Sequence, residues 1–384
     1  MPTAAQGASE RTPILPANTQ RPAPRRKRWV ITILAPVVLV WATIGVLLFG
    51  KTEPKDPLEK AKAPVIDGHI DLPIFVREAY GNDINKFDMN AALPAHVDIP
   101  RIREGQLGGF FWSVFTECHD DGVDFLTPNN HVRGKLPNGR LKLTTDTLEQ
   151  IDVARNLMNK YHDTFEFATT AAGAERAIKN GKVASFMGIE GAHQLGNSLA
   201  VLRPRCTIRY ADTRLQQCLR RQWGHLRAAQ AALARSFLIK EMNRLGMLID
   251  LSHVSDETAQ QAIALSKAPV MWSHSAARHF NNISRNVPDE ILTKIGRGKH
   301  QLDGVVMVNV GIGSDYDGIE KGLEDVSKYP HLFAELIKRG WGRHDLAGLA
   351  GGNLLRVMSG AEDVARKLRR VGPNMATYNK RQDI

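Results

Sequence analysis

The stretch that decides the fold is Val65-Ile66-Asp67-Gly68-His69-Ile70-Asp71. It is a mostly apolar run, typical of a strand buried on both faces of a parallel sheet, and it ends in a His-x-Asp pair. Side chains two positions apart in a strand point to the same face, so His69 and Asp71 can bind one metal ion together. We therefore predict a strand over Pro64–Asp71 with a metal-binding pair at its carboxyl end.

Three further apolar runs end in residues that can bind metals. Val183–Glu190 ends on Glu190, Met247–His253 ends on His253, and Pro269–Ser275 carries His274. The other candidate strands are Gly109–Phe115, Val305–Asn309 and Ile312–Asp317, and helical periodicity marks Thr147–Tyr161, Asp256–Ser266 and Leu332–Arg339. Alternating strands and helices predict an α/β fold of the (β/α)8-barrel type, in which all the strand ends meet on one face.

The predicted cluster holds three imidazoles and two carboxylates, which are ligands that suit zinc. One ion does not need five ligands, whereas two ions roughly 3.5–4 Å apart that share a carboxylate do. Glu190 can bridge because a carboxylate has two oxygens. Each residue taken singly is more often an ordinary hydrogen-bonded or solvated side chain. Together, the four strand ends favour a site for two zinc ions with Glu190 between them.

The first 63 residues are predicted to form three segments. Residues 1–28 have the composition of a disordered tail, and residues 51–63 form a charged linker to a domain over residues 64–384. Residues 29–50 carry no charge and would make about 33 Å of helix, enough to cross a membrane. The alternatives for this segment are a cleaved signal peptide and a buried core helix.

The charge pattern gives the orientation of the span and argues against nucleic acid as a partner. Five Arg and Lys residues in 21–28 precede the span, so the N-terminus is expected in the cytoplasm and residues 51–384 outside the cell or in a lumen. The formal net charge of +11 arises from this cluster and the Arg-rich segment 203–235. The body of the chain is near neutral, so no nucleic-acid-binding face is predicted. The three cysteines form no C-x-x-C pair, so a cysteine zinc site is not expected.

Long motifs in this sequence resemble the membrane (renal) dipeptidase family of zinc metallopeptidases, which belongs to the amidohydrolase-like barrel group. They are VIDGHIDLP, GGFFWSVF, VASFMGIEGAH, IKEMNRLGMLIDLSHVSDET, SRNVPDEIL, GSDYDG, LEDVSKYP and NLLRVM. The resemblance implies that His69, Asp71 and Glu190 bind one zinc ion, and that Glu190, His253 and His274 bind the other. A membrane-anchored enzyme is then expected, which hydrolyses dipeptides with a metal-activated water.

Two more residues match functional positions of that family. Arg285 matches the arginine that holds the substrate's carboxylate, and a guanidinium suits that role because it can bind both oxygens. Asp315 matches the acidic residue that handles the proton of the catalytic water or the leaving amine. By its position alone, Asp315 is a candidate general acid or base.

The sequence departs from the family in two places. Family members carry a strand ending in a T-H-x-C-type motif after the segment that matches NSLAVLR, and its Cys pairs with the one that matches Cys118. Residues 204–235 are Arg-rich instead, and this motif cannot be aligned, which puts the fourth strand and the disulfide in question. The family's long crossover between strands seven and eight is also missing at residues 309–311, although parallel neighbours need a dozen or more residues between them. Either the barrel is broken there, or Val305–Asp317 forms one continuous strand. We therefore expect a barrel that is incomplete or distorted near strands 4 and 7–8, with Asp315 displaced and little turnover.

Other functions stay open at this point. Another amide or lactam hydrolase of the same barrel group would use the same ligands. A non-catalytic membrane protein, or a defective gene model that retains the ligands, would explain the two departures. The sequon Asn282-Ile283-Ser284 predicts a glycoprotein if the domain is lumenal, and a homodimer is left open.

Overall fold

The computed structural model describes residues 64–116, 143–195, 199–203, 210–212, 228–297, 311–319 and 323–375, all of which lie in the compact unit Pro54–Ile384. Several predictions lie outside these residues: the tail 1–28, the span 29–50, the linker 51–63, the three cysteines and the strand Val305–Asn309. Within the described ranges, no helix combines the length and the apolar character needed to cross a bilayer.

Within the described residues, seven strands form one parallel sheet. They are β1 Val65–Ile70, β2 Leu107–Phe115, β3 Phe165–Phe167, β4 Val183–Glu190, β5 Tyr210–Asp212, β6 Leu248–Asp250 and β7 Val270–Met271. The strand order is β1-β2-β4-β5-β6-β7, and β3 pairs beside the first half of β4. Every residue of β1 and β4 is buried, as expected for strands covered on both faces. The predicted α/β fold with a parallel sheet is confirmed.

Helices of the described chain follow or connect these strands. They are α1 Leu72–Tyr80, α2 Ile99–Glu104, α3 Leu143–Lys160, α4 Ala171–Lys179, α5 Leu199–Leu202, α6 Ala228–Leu245, α7 Asp256–Leu265, α8 Asp289–Arg297, α9 Tyr329–Lys338, α10 Arg343–Ala347 and α11 Asn353–Leu368. Single 3-10 turns lie at Ala192–Leu195 and Val326–Lys328, and a π turn lies at Gly348–Gly352. Helix α7 begins where the Ser255 hydroxyl accepts from the Thr258 backbone N–H, with Asp256 and Glu257 in the first turn. This cap and the two acidic residues favour a helix start at that point.

The fourth strand, which the sequence could not place, is β5. It lies within the Arg-rich segment and pairs in parallel with β4 through Gly188 and Ile189, and with β6 on its other side. Three residues are too few to show a period in the sequence. The expected distortion near strand 4 therefore takes the form of a very short strand that still joins β4 to β6.

The segment after residue 310 closes the sheet beside β1 without forming a regular strand. Ile312 and Tyr316 make isolated parallel bridges to β1, and the Gly68 N–H donates to the Ile312 carbonyl at 2.8 Å. A Cβ on Gly313 would lie 1.7 Å from the Ser273 carbonyl oxygen, so this segment is wedged against the end of β7. The predicted strand Ile312–Asp317 thus makes isolated bridges and separate backbone hydrogen bonds to β1 in place of a regular ladder, which is the distortion expected near strand eight.

Candidate metal centre

The carboxyl ends of four strands bring the predicted ligands together. His69 and Asp71 lie at the end of β1, Glu190 ends β4, His253 follows β6, and His274 follows β7. Two groups of ligand atoms are close enough to hold an ion each: one from His69, Asp71 and Glu190, the other from Glu190, His253 and His274. These are the two sets that the sequence resemblance implied, although their role as metal ligands stays a prediction.

The first group has the spacing of a metal site. His69 Nε2 lies 3.4 Å from Asp71 Oδ2 and 3.3 Å from Glu190 Oε2. Ligand atoms placed tetrahedrally at about 2.0–2.1 Å from zinc are about 3.3–3.4 Å from one another. The group therefore needs little rearrangement to accept an ion.

The second group uses the other oxygen of the same carboxylate. Glu190 Oε1 lies 3.7 Å from His253 Nε2 and 3.6 Å from His274 Nε2. The two histidine Nε2 atoms are 2.7 Å apart, so they share a proton-mediated hydrogen bond that a bound metal would replace. His253 also has a positive φ of 61°, an uncommon conformation for a non-glycine residue that is found at functional sites.

Burial and charge make this cluster unfavourable without a cation. Burial, followed by the negative charges of Glu190 and Asp315, raises the pKa of Asp71 to about 7 against the opposing effect of His69. Burial by itself would lower the pKa of His69, but the carboxylates of Asp71 and Glu190 raise it well above its ordinary value. The Asp71 Oδ1 atom is buried and makes no hydrogen bond within the described residues. A divalent cation would neutralise these charges and give that oxygen a partner, so the residues fit the metal.

Asp315 and Arg285 also reach the site. Asp315 Oδ1 lies 3.7 Å from His69 Nε2, and Asp315 Oδ2 lies 3.5 Å from Arg285 Nη1. The second guanidinium nitrogen of Arg285 donates to the His274 carbonyl at 2.8 Å. Although the sequence predicts a displaced Asp315, its carboxylate lies close to both His69 and Arg285.

Polar groups of β1 explain why Asp315 stays in place. The Asp67 Oδ1 atom accepts from the Ser314 backbone N–H at 3.0 Å, and the Asp315 N–H donates to the His69 carbonyl at 3.1 Å. The hydroxyl of Tyr329 donates to the other oxygen of Asp67. Burial raises the pKa of Asp67, and these hydrogen bonds oppose that rise. Among the described residues, β1 thus holds this segment through these hydrogen bonds.

Asp250 and Ser273 are site residues that the sequence did not single out. His69, Asp250 and His274 form a third group of candidate ligand atoms, but the Ser273 hydroxyl lies 2.5 Å from Asp250 Oδ2 and 2.7 Å from His274 Nδ1. That hydroxyl occupies the place a third ion would need. A buried aspartate in the apolar run of β6 was the available signal, but its meaning depends on the neighbouring strand.

Comparison with known proteins decides the family. The family model described as membrane dipeptidase (peptidase family M19) matches residues 58–310 and 309–371. This chain belongs to the membrane dipeptidase family. The family assigned from the motifs is thereby confirmed, and membership supports metal-dependent hydrolysis of dipeptides.

Alignments with two fungal dipeptidases cover most of this chain. An uncharacterized dipeptidase of Schizosaccharomyces pombe is 34% identical over an alignment 409 residues long, gaps included. The alignment covers 92% of this chain and 95% of the relative. Dipeptidase verJ of Clonostachys rogersoniana is 32% identical over 358 residues, which span 82% of this chain and 88% of that protein. Both bear the name dipeptidase, in agreement with the activity predicted from the sequence.

Solved structures show the same fold. A metallopeptidase of Rhodobacter sphaeroides, solved with a phosphinate mimic of the dipeptide L-Ala-D-Ala, has a TM-score of 0.58 and 21% identity over 78% of this chain and 99% of its own. The probable dipeptidase PvdM of Pseudomonas aeruginosa has a TM-score of 0.58 and 18% identity over 80% of this chain and 98% of its own. At these identities the likeness establishes a common α/β, TIM-barrel-like fold.

Proposed function

We propose that this chain is a metallodipeptidase that holds two zinc ions through His69, Asp71, Glu190, His253 and His274. The observation that carries the proposal is the orientation of Glu190. Its Oε2 faces His69 at 3.3 Å, while its Oε1 faces His274 at 3.6 Å. A carboxylate that turns one oxygen to each of two ligand groups is what a bridged ion pair requires, and imidazole and carboxylate ligands suit zinc.

Two residues beside the cluster would serve the substrate. When bound, the ions supply Lewis acidity and lower the pKa of a water molecule. Arg285 is 30% exposed and anchored to the His274 carbonyl, so its guanidinium can hold the free C-terminal carboxylate of a peptide at a fixed distance from the cluster. That fixed distance selects the peptide bond next to the free C-terminus. Asp315 lies between Arg285 and His69, where its carboxylate can accept a proton and pass it to the leaving amine.

The test is hydrolysis of Gly-Leu by the purified full-length chain, stripped with a chelator and reloaded with zinc. Although the sequence predicts little turnover, Asp315 lies beside the cluster, so we expect activity to return with two equivalents of zinc. Glu190→Gln should lower the affinity for both ions, whereas His69→Ala should mainly empty one site. Absence of zinc binding, or equal loss of one ion in both variants, would contradict the bridged pair.

Comparison substrates separate the dipeptidase from other amide hydrolases. Gly-Leu amide lacks the carboxylate that Arg285 would hold, so its hydrolysis should be much slower than that of Gly-Leu. An N-acyl amino acid and a lactam serve as the other arms. Cleavage of either one without cleavage of Gly-Leu would overturn the dipeptidase assignment in favour of another amide hydrolase. Zinc binding without turnover of any of these substrates would indicate a non-catalytic protein.

We also infer that residues 29–50 span a membrane, with the N-terminus in the cytoplasm and the catalytic domain on the other side. The charge-free stretch and the basic cluster before it support this orientation. Asn282 is exposed in the structure, so its sequon would be glycosylated in a lumen. Protection of an N-terminal tag from external protease, together with a mass shift after glycosidase treatment, is expected. External access to that tag would refute the orientation, and cross-linking of the same vesicles would show whether a homodimer forms.

We infer further that the barrel lacks one crossover connection. The two pieces of the family match meet at residues 309–310, and the alignment with the Schizosaccharomyces pombe relative, at 409 residues, is longer than this 384-residue chain. That relative therefore carries residues that this chain lacks. Sequencing the transcript around codons 203–236 and 309–311 tests the inference. A frame change that restores a crossover there would show that the gene model, and not the protein, lacks it.

A further inference from the structure

A single hydroxyl on the floor of the metal centre contacts both predicted metal sites. Ser273 is buried, and its Oγ lies 2.7 Å from His274 Nδ1 and 3.4 Å from His69 Nδ1. His69 belongs to one ligand group and His274 to the other. Both rings turn their Nε2 atoms towards Glu190 and their Nδ1 atoms towards Ser273.

The proton of that hydroxyl is committed to Asp250. Ser273 Oγ donates to Asp250 Oδ2 at 2.5 Å, whereas Asp250 Oδ1 accepts from the backbone N–H groups of Ser252 at 3.0 Å and Ser273 at 2.9 Å. A hydroxyl has one proton and two lone pairs. Once its proton points to Asp250, Ser273 can only accept hydrogen bonds, from the imidazoles and from the Ser252 hydroxyl 3.3 Å away.

Because Ser273 can only accept, a neutral imidazole that hydrogen-bonds to it must carry its proton on Nδ1. A histidine that donates from Nδ1 to Ser273 is protonated there when it is neutral, which leaves the Nε2 lone pair for a metal. We propose that Ser273, oriented by Asp250, is a positioning residue that fixes the Nδ1-protonated tautomer of His274. It also accepts from Nδ1 of His69, and so orients ligands of both metal sites. The inference deepens the proposed function and rests on its metal sites.

The isosteric substitution Asp250→Asn should reverse the direction of the hydrogen bond between residue 250 and Ser273. The two backbone N–H groups at Oδ1 require the amide oxygen in that place, so the amide nitrogen must face Ser273 and donate to it. The Ser273 proton is then released and can point to His274 Nδ1, which favours the Nε2-protonated tautomer. Ser273→Ala removes the acceptor and should leave a mixture of tautomers.

Ser113→Ala is the matched control. Ser113 is as buried as Ser273 but lies on β2, and its hydroxyl makes no hydrogen bond within the described part of the chain. If burial of a serine were all that mattered, this variant would behave like Ser273→Ala. If the hydrogen bonds of Asp250 and Ser273 are what matters, Ser113→Ala should keep the wild-type tautomer and the wild-type zinc affinities.

The experiment reads tautomers and metal affinity separately. Long-range proton–nitrogen NMR of the metal-free full-length chain, labelled with nitrogen-15 in histidine, assigns the protonated nitrogen of His274, the histidine whose pKa burial lowers. Titration with zinc against a chromophoric chelator gives the two affinities. We expect Nδ1 protonation in the wild type, Nε2 protonation in Asp250→Asn, and a 10–100-fold loss of zinc affinity in Asp250→Asn and Ser273→Ala.

Several outcomes would overturn the inference. Nε2 protonation of wild-type His274 does so by itself, even if both variants fail to fold. Folded variants with wild-type tautomers and affinities do so as well, as would an equal loss of affinity in Ser113→Ala. A wild-type chain that shows the expected tautomers but binds no zinc would instead refute the proposed function.

Discussion

Replacing Asp71 by Asn should stabilise the metal-free chain at alkaline pH while emptying one metal site. Burial and the neighbouring carboxylates raise the pKa of Asp71 from 3.8 to about 7. Because each pKa unit corresponds to about 1.4 kcal/mol, the ionised carboxylate destabilises the metal-free fold by on the order of 4 kcal/mol above pH 7. The folded state binds the Asp71 proton more tightly than the unfolded state does. The stabilisation that protonated Asp71 contributes is therefore full below pH 3.8 and is lost as the pH rises to about 7.

The assay is urea unfolding of the full-length chain in the presence of a chelator, at pH 5 and at pH 8. The free energy of unfolding of Asp71→Asn, relative to the wild type, should increase by roughly 2–3 kcal/mol between these two pH values. Asp163→Asn is the control, since the Asp163 side chain is 95% exposed. If the difference in free energy of unfolding stays constant with pH, or favours the wild type at pH 8, ionised Asp71 does not destabilise the metal-free fold.

Two other predictions concern substrate binding and the edge of the divergent segment. Arg285→Lys keeps the charge but loses the two-pronged guanidinium, so the KM for Gly-Leu should rise about 10–100-fold with a smaller change in kcat; an unchanged KM in steady-state kinetics would remove Arg285 from substrate binding. Glu241→Gln should lower the free energy of unfolding at pH 7 by up to about 3 kcal/mol. Although burial opposes it, hydrogen bonding from Arg244 and Arg203 lowers the pKa of Glu241 to about 2, so this stabilisation is present above about pH 4.5 and is lost as the pH falls towards 2. Urea unfolding at pH 7 and pH 3 measures the difference, which should shrink at pH 3.

Much of the site was predictable because its residues end apolar runs. The predicted strand Val183–Glu190 coincides with β4, and Glu190, its last residue, turns both oxygens to the ligand groups. Long strands that are buried on both faces can be predicted from the sequence, because they form nearly continuous runs of apolar or small residues. A polar residue at the end of such a run is therefore informative about the site.

Short strands and supporting contacts could not be predicted in this way. Phe165–Phe167 and Tyr210–Asp212 exist as strands because β4 offers them hydrogen-bonding partners, not because three residues have a strand pattern. The contact of Ser273 with Asp250 arises only once β6 and β7 are neighbours. Such roles are properties of the assembled sheet, and a single sequence does not show them.

The last prediction concerns how Asp315 is held beside the metal centre. The length of the connection suggested displacement, yet its segment is held by hydrogen bonds to β1 and by close approach to β7. Gly313 permits that approach, because a Cβ there would lie 1.7 Å from the Ser273 carbonyl oxygen, whereas a Cβ on Gly311 would meet no described atom within 4 Å.

Gly313→Ala should therefore push the segment away from β7 and move Asp315, while Gly311→Ala should not. A shift of about 1 Å at a catalytic group can lower the rate on the order of 100-fold. We expect kcat for Gly-Leu to fall by about that factor in Gly313→Ala, with both zinc ions retained because the five ligands lie on other segments. Equal kcat values for the two alanine variants would show that close packing against β7 does not position Asp315. Loss of zinc in Gly313→Ala would show that the segment supports the metal centre itself.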